Sequence, residues 1–90
     1  MEIIVLFKGE VTDSGTNPIN GETTQIRRAV LCVPGHYGNG RDLEFACVQY
    51  REPSGRWNID EATIDTSKKA IRTVRNLERS RIMGFRGSKQ

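Results

Sequence analysis

The last 25 residues hold eight basic side chains, Lys68, Lys69, Arg72, Arg75, Arg79, Arg81, Arg86 and Lys89, against one acid, Glu78. Lys68, Arg72, Arg75 and Arg79 recur at spacings of 4, 3 and 4, which on a helix draws a single stripe. The chemistry such a stripe does is electrostatic. From Lys68 to Arg79 it covers ~16 Å of helix. Each cation that meets a nucleic-acid phosphate on that scale releases condensed counterions. Residues 1–65 do not share this character: six basic and ten acidic residues give −4, residues 66–90 give +7, and the whole chain is +3. A polarised charge of this kind does nothing for a core and points to a polyanion or an acidic protein surface. The helix dipole accounts for cations at a C-terminal end, but Lys68 and Lys69 fall at the opposite end, where they cost stability.

A second group, Gln49, Arg51 and Arg56, surrounds the turn Glu52-Pro53-Ser54-Gly55. A two-stranded ribbon can enter a major groove, where Arg reads guanine and Gln reads adenine. Trp57, the single tryptophan, is assigned to the core as its aromatic anchor. With the helix residues Lys68, Lys69, Arg72, Arg75, Arg79 and Arg86, these three side chains form the candidate partner-binding set.

Other chemistry is thin. His36, the lone histidine, lies in a glycine-rich turn with no nucleophile or orienting acid in prospect. PGHYGNGR (34–41) lacks the Lys-Ser/Thr ending of a phosphate-binding loop and opens no helix. Cys32 and Cys47 have neither metal-ligand nor scaffold spacing and read as buried thiols, possible cross-strand neighbours. Asp60, Glu61 and Asp65 read as strand-end solvation and a helix cap. The expectation is a non-enzymatic protein with no metal and no cofactor.

These residues need elements to position them. Ninety residues allow one domain with one modest core. Glu2–Lys8 is apolar and β-branched, a strand buried on both faces or lying under a helix. Residues 13–23 (DSGTNPINGET) read as a mobile loop. In Gln25–Val33, Ile26, Arg28, Val30 and Cys32 share one face, and Arg27, Ala29, Leu31 and Val33 the other. Asn39-Gly40 signals a type I′ hairpin into the strand 42–51. Strict pairing from that turn sets Cys32 opposite Cys47 and Leu31 opposite Val48, and a wider loop over 34–41 is the alternative. Arg56–Ile59 returns as a strand that could run on to Ile64, with Trp57 and Ile59 on one face. Asp65-Thr66-Ser67 caps a helix running to about Met83, with Gly84 as its stop, and 85–90 follow as a basic tail. Ala70, Ile71, Val74, Leu77 and Ile82 form its apolar arc. The predicted fold is α+β: an antiparallel sheet of three to four strands packed by one C-terminal amphipathic basic helix. It makes a single domain over 1–84 and leaves the other sheet face free for partners.

Residues 42–79 carry a resemblance. Their order is strand, Arg51-Glu52-Pro53-Ser54-Gly55-Arg56-Trp57, strand, then Ile64-Asp65-Thr66 opening a helix with Ala70 on its inner face. This resembles the three-strands-plus-helix DNA-binding domain of plant ethylene-response (Apetala-type) factors and the arm-type domain of phage integrases. The resemblance implies a sheet that enters the major groove, Gln25–Val33 as its first strand, and Gln49, Arg51 and Arg56 facing DNA.

The expected function is that of a small nucleic-acid-binding accessory protein, DNA favoured. The rival expectation is a phage- or mobile-element-type inhibitor or adaptor that docks on an acidic or nucleic-acid-mimicking surface of a host protein. Either is cytoplasmic, since no run is long enough to span a membrane and Glu2 stands where a signal peptide wants a cation. The chain is a monomer, or a homodimer through the Ile3–Phe7 strand.

Overall fold

The structure, a computed structural model, describes residues 2–87 in backbone and residues 2–77 in side chain. Its elements are β1 (Ile4–Lys8), β2 (Thr12–Thr16), β3 (Thr23–Gly38), β4 (Arg41–Arg51), β5 (Trp57–Asp65) and α1 (Lys68–Gly87). The strands form one antiparallel sheet in the order β1-β3-β4-β5. β2 lies on the same side of β3 as β1, paired to its first residues. The fold is α+β, five strands with one C-terminal helix packed on them.

The additional strand comes from the segment that reads as a loop. Thr-Asp-Ser-Gly-Thr has no apolar period, so nothing local marks it as β. Its pairing is with Thr23–Ile26, and the connecting turn closes on Asn17. The buried Asn17 side chain accepts the Ile19 N–H at 2.8 Å, and the Asn17 backbone N–H donates to the Glu22 carbonyl at 2.8 Å.

In the β3–β4 hairpin both sequence alternatives hold in part. Asn39 (φ 53°) and Gly40 (φ 74°) take the positive φ values of a type I′ turn, and Gly38 pairs with Arg41. Three residues of slippage then enter at Pro34–Tyr37, because the next pair is Val33 with Leu43. The Gly35 N–H donates to the Asp42 carboxylate at 2.8 Å inside this bulge. Beyond it Cys32 pairs with Glu44, and Ala29 with Cys47. A shift of three is odd, so it exchanges faces. Cys32 and Cys47 therefore lie on opposite faces of the sheet, not opposite each other. Both are free thiols.

β5 is longer than its Trp57–Ile59 core and carries its own bulge, since Val48 pairs with Asp60 but Ala46 with Asp65. Thr63 fills the gap. Its hydroxyl accepts the Val48 N–H at 2.8 Å and donates to the Asp60 carbonyl at 2.6 Å.

Alternation sorts the buried residues into two clusters. Val30 and Ala46 pack with Phe7 and, from the helix, Val74, Ala70 and Ile71. Ala29, Leu31, Val33, Phe45 and Cys47 pack with Leu43 and Ile59 on the opposite face. That face is therefore not free along its length, contrary to the sequence expectation: Leu31 is 0% and Phe45 4% exposed. β1 also departs from expectation. It is not buried on both faces: it is an edge strand, as the homodimer alternative required, with Ile4, Val5, Leu6 and the preceding Ile3 each 39–45% exposed, while Phe7 packs into the cluster under the helix.

The helix begins where its capping residues predict. Ser67 is the cap: its hydroxyl accepts the Ala70 N–H at 3.1 Å. Asp65 accepts the Ser67 N–H at 2.9 Å, and that bond holds its carboxylate below the usual range. The helix does not stop at Gly84. It continues through Phe85 and Arg86 to Gly87, so the segment read as a tail is helical over those residues. Residues 88–90 lie outside the described residues.

Candidate nucleic-acid interface

The helix presents fewer free cations than its stripe implies. Lys68, Lys69 and Arg72 are exposed, and the first turn holds no acid to neutralise them. Arg75 is half-buried, with its guanidinium over the Phe7 ring at 4.9 Å and its buried Nε without a hydrogen-bond partner among the described residues. This arginine seals the helix onto β1 rather than reaching outward. Arg79 and Arg86 belong to the helix backbone, and their side chains lie outside the described residues.

The second candidate group sits at the Glu52–Gly55 end of the sheet, on the face away from the helix. The register brings Arg27 against Gln49 and Gln49 against Ile59, with Arg51 against Trp57 one step along. Arg27 Nε donates to Gln49 Oε1 at 2.8 Å, and Gln49 is only 5% exposed. The Arg27 guanidinium lies over the indole of Trp57, 4.3 Å from its centroid, and that of Arg51 lies 5.7 Å from it. Arg51 is steered by two further bonds, from Nε to the Gly55 carbonyl at 3.1 Å and from Nη1 to Gln25 Oε1 at 3.0 Å. The turn has the geometry its residues call for: the Gly55 N–H donates to the Glu52 carbonyl at 2.8 Å and Gly55 has φ 93°. Arg56 is exposed beside it.

Trp57 is thus not a core anchor. It is half-buried, outside both core clusters, and its indole joins two guanidiniums in a cation–π group. Burial, and next the charge of Arg51, press the Arg27 guanidinium below its ordinary pKa. The Gln25 amide, beside Arg51, donates to the Asp13 carboxylate at 2.9 Å. Two like charges held together in this way create a local demand for an anion.

Of the sequence candidates, Gln49 and Arg51 come together here, while Lys68, Lys69 and Arg72 lie on the other side of the sheet. One straight duplex cannot touch both groups at once. Gln25, Arg27 and Trp57 complete the group without having been singled out for it. Alternation alone set Arg27 beside Ala29 and Leu31. The strict hairpin register hid its partner by setting Gln49 opposite Val30.

The remaining polar residues do not assemble. His36 packs its ring edge-on against Tyr37 at 4.9 Å on the exposed bulge. Burial pushes the Cys47 thiol up to about 11. Burial also raises Cys32, helped by the nearby Asp42 and Glu44 carboxylates. Both thiols are therefore poor nucleophiles near neutrality. Among the described residues no three His, Cys, Asp or Glu side chains converge on a point where an ion could sit.

Compared with known proteins, the chain matches no family model, no curated protein and no solved structure. The fold and the side chains above carry the functional argument by themselves.

Proposed function

We propose that this chain is a small nucleic-acid-binding accessory protein of the cytoplasm, with DNA the favoured partner. The observation that carries the reading is the separation of charge. Residues 66–90, which include the helix, hold a net +7, against −4 for residues 1–65. Lys68, Lys69 and Arg72 stand exposed there at a helix start that disfavours them electrostatically. A phosphate backbone offsets that cost through counterion release. No helix among the described residues is long and apolar enough to cross a membrane.

The test is the salt dependence of duplex DNA binding, followed by fluorescence anisotropy between about 50 and 200 mM salt. The triple variant Lys68→Gln, Lys69→Gln, Arg72→Gln should flatten the log–log slope by about 3, at ~0.9 per lost phosphate contact. It leaves the Ser67 cap and the Val74 contact in place. An unchanged slope would remove the helix from the interface.

Strand pairing with a protein is the second reading, and one observation favours it. β1 pairs with β3 alone and leaves four apolar residues, Ile3–Leu6, at an open edge. The bulge between Val5 and Phe7 limits how much of that edge is regular. A concentration-dependent dimer in sedimentation velocity that Val5→Lys abolishes would support pairing with a second copy. A monomer at all concentrations would exclude that form of it.

A further inference from the structure

We infer that the Arg27–Trp57–Arg51 group is a binding site for an unpaired nucleotide, with the base extending the guanidinium–indole stack and its phosphates meeting the two arginines. The inference rests on the nucleic-acid reading but assigns a site on the opposite side of the sheet from the helix. It also assigns a ligand class, single-stranded rather than duplex.

Three features converge on it. The first is the shape of the group. A half-buried indole carries one guanidinium at 4.3 Å and another at 5.7 Å, and flat cationic and aromatic planes are the surfaces on which unstacked bases pack. The second is charge. Arg27 and Arg51 act on each other as like charges, and the groups that hold them are neutral: Gln49, Gln25 and the Gly55 carbonyl. An anion is the missing counterpart. The third is preorganisation. Gln49 is buried beneath the group and fixes Arg27, while Gln25 and Gly55 fix Arg51. Little side-chain entropy remains to be lost when a ligand arrives.

A duplex suits the site less well, because its bases are stacked on each other and offer no face to an indole. A strand with free bases offers both a face and a phosphate at each step, and base–aromatic stacking is tolerant of sequence.

Trp57 is the only tryptophan, so its emission reports on this site alone. A 15-nucleotide oligothymidylate and a 15-base-pair duplex serve as probes, with anisotropy of labelled strands measured in parallel. The oligothymidylate should quench Trp57 saturably, with a midpoint equal to that of the anisotropy curve, and the duplex should not. Trp57→Ala should weaken oligothymidylate binding about 10-fold or more, the loss of one stacked base. The same change should leave duplex binding unaltered, and Trp57→Phe should retain most of the affinity. Arg51→Gln, at an exposed position, should weaken oligothymidylate binding in the same direction and stands in if Trp57→Ala fails to fold. Oligothymidylate binding with unchanged emission and unchanged affinity in Arg51→Gln would overturn this site while leaving the nucleic-acid reading intact. Equal quenching by the duplex would overturn the single-strand assignment. Absence of binding by either probe at low salt would overturn both.

Discussion

Leu31→Ala should cost about 3–4 kcal/mol, within the range for a fully buried leucine truncated where its surroundings cannot collapse. Leu31 is 0% exposed and sits among Ala29, Val33, Phe45 and Cys47 on the face of the sheet that the helix does not cover. Two features make the cost high. Its neighbours belong to β3 and β4, the two longest strands, which are paired to each other and cannot close on a void without breaking the ladder. The cluster also contains two small residues, Ala29 and Cys47, so the leucine and Phe45 supply much of its apolar volume. A domain of this size holds roughly 5–13 kcal/mol in total. The substitution therefore removes a large part of it, and Tm should fall by about 12–25 °C. Urea denaturation checks this: the midpoint should move with the slope unchanged. Ile19→Ala is the control. Ile19 is 82% exposed, and its truncation should change stability by less than about 0.5 kcal/mol. A Leu31→Ala loss as small as that of Ile19→Ala would show that this second cluster is not part of the core.

What the sequence made legible and what it concealed both follow from range. The alternation of Gln25–Val33, the Asn39-Gly40 and Pro53-Ser54-Gly55 turns and the Ser67 cap depend on residues within a few positions of each other, and each signal is present in the residues themselves. The bulge at Pro34–Tyr37 is decided by what lies across the hairpin. Its geometry needs Gly35 and Gly38 at positive φ and the Asp42 carboxylate in place, and none of these outweighs the pull of a strict type I′ register when read alone. Because that slip is odd, every cross-strand relation beyond it changed face. It separated Cys32 from Cys47 and joined Arg27 to Gln49. Gln49, Arg51 and Arg56 were legible around their turn, but the contacts of Arg27 with Gln49 and with the Trp57 indole were not, because the slip moved Gln49 and Arg27 stands two strands from Trp57. β1 misled differently. A continuous apolar run is consistent with burial on both faces, and only the strand order shows that it is an edge.

Gly15→Ala tests the element that was least visible, and its effect should reverse sign when Ile26, the side chain packed against it, is truncated. Gly15 is buried in β2, and a Cβ placed there would fall within the van der Waals envelope of Ile26, on its Cβ and both γ carbons. Its φ is not in the left-handed region, so the demand for glycine is one of space and not of backbone conformation. Ile26 is β-branched and stiff at χ1 and cannot swing aside cheaply. Gly15→Ala should therefore cost about 1–3 kcal/mol as an overpacked contact. The loss should appear first as faster amide exchange in Thr12–Thr16 and Thr23–Ile26, the paired segments that must separate. In an Ile26→Ala background the obstacle is gone. There the same substitution should become neutral or stabilising by up to about 1 kcal/mol, because alanine restricts the unfolded chain more than glycine does. The double-mutant cycle then yields a coupling of at least about 1 kcal/mol. Additive effects would mean that β2 is held away from Ile26. The strand would then be no more than the loop its composition suggests.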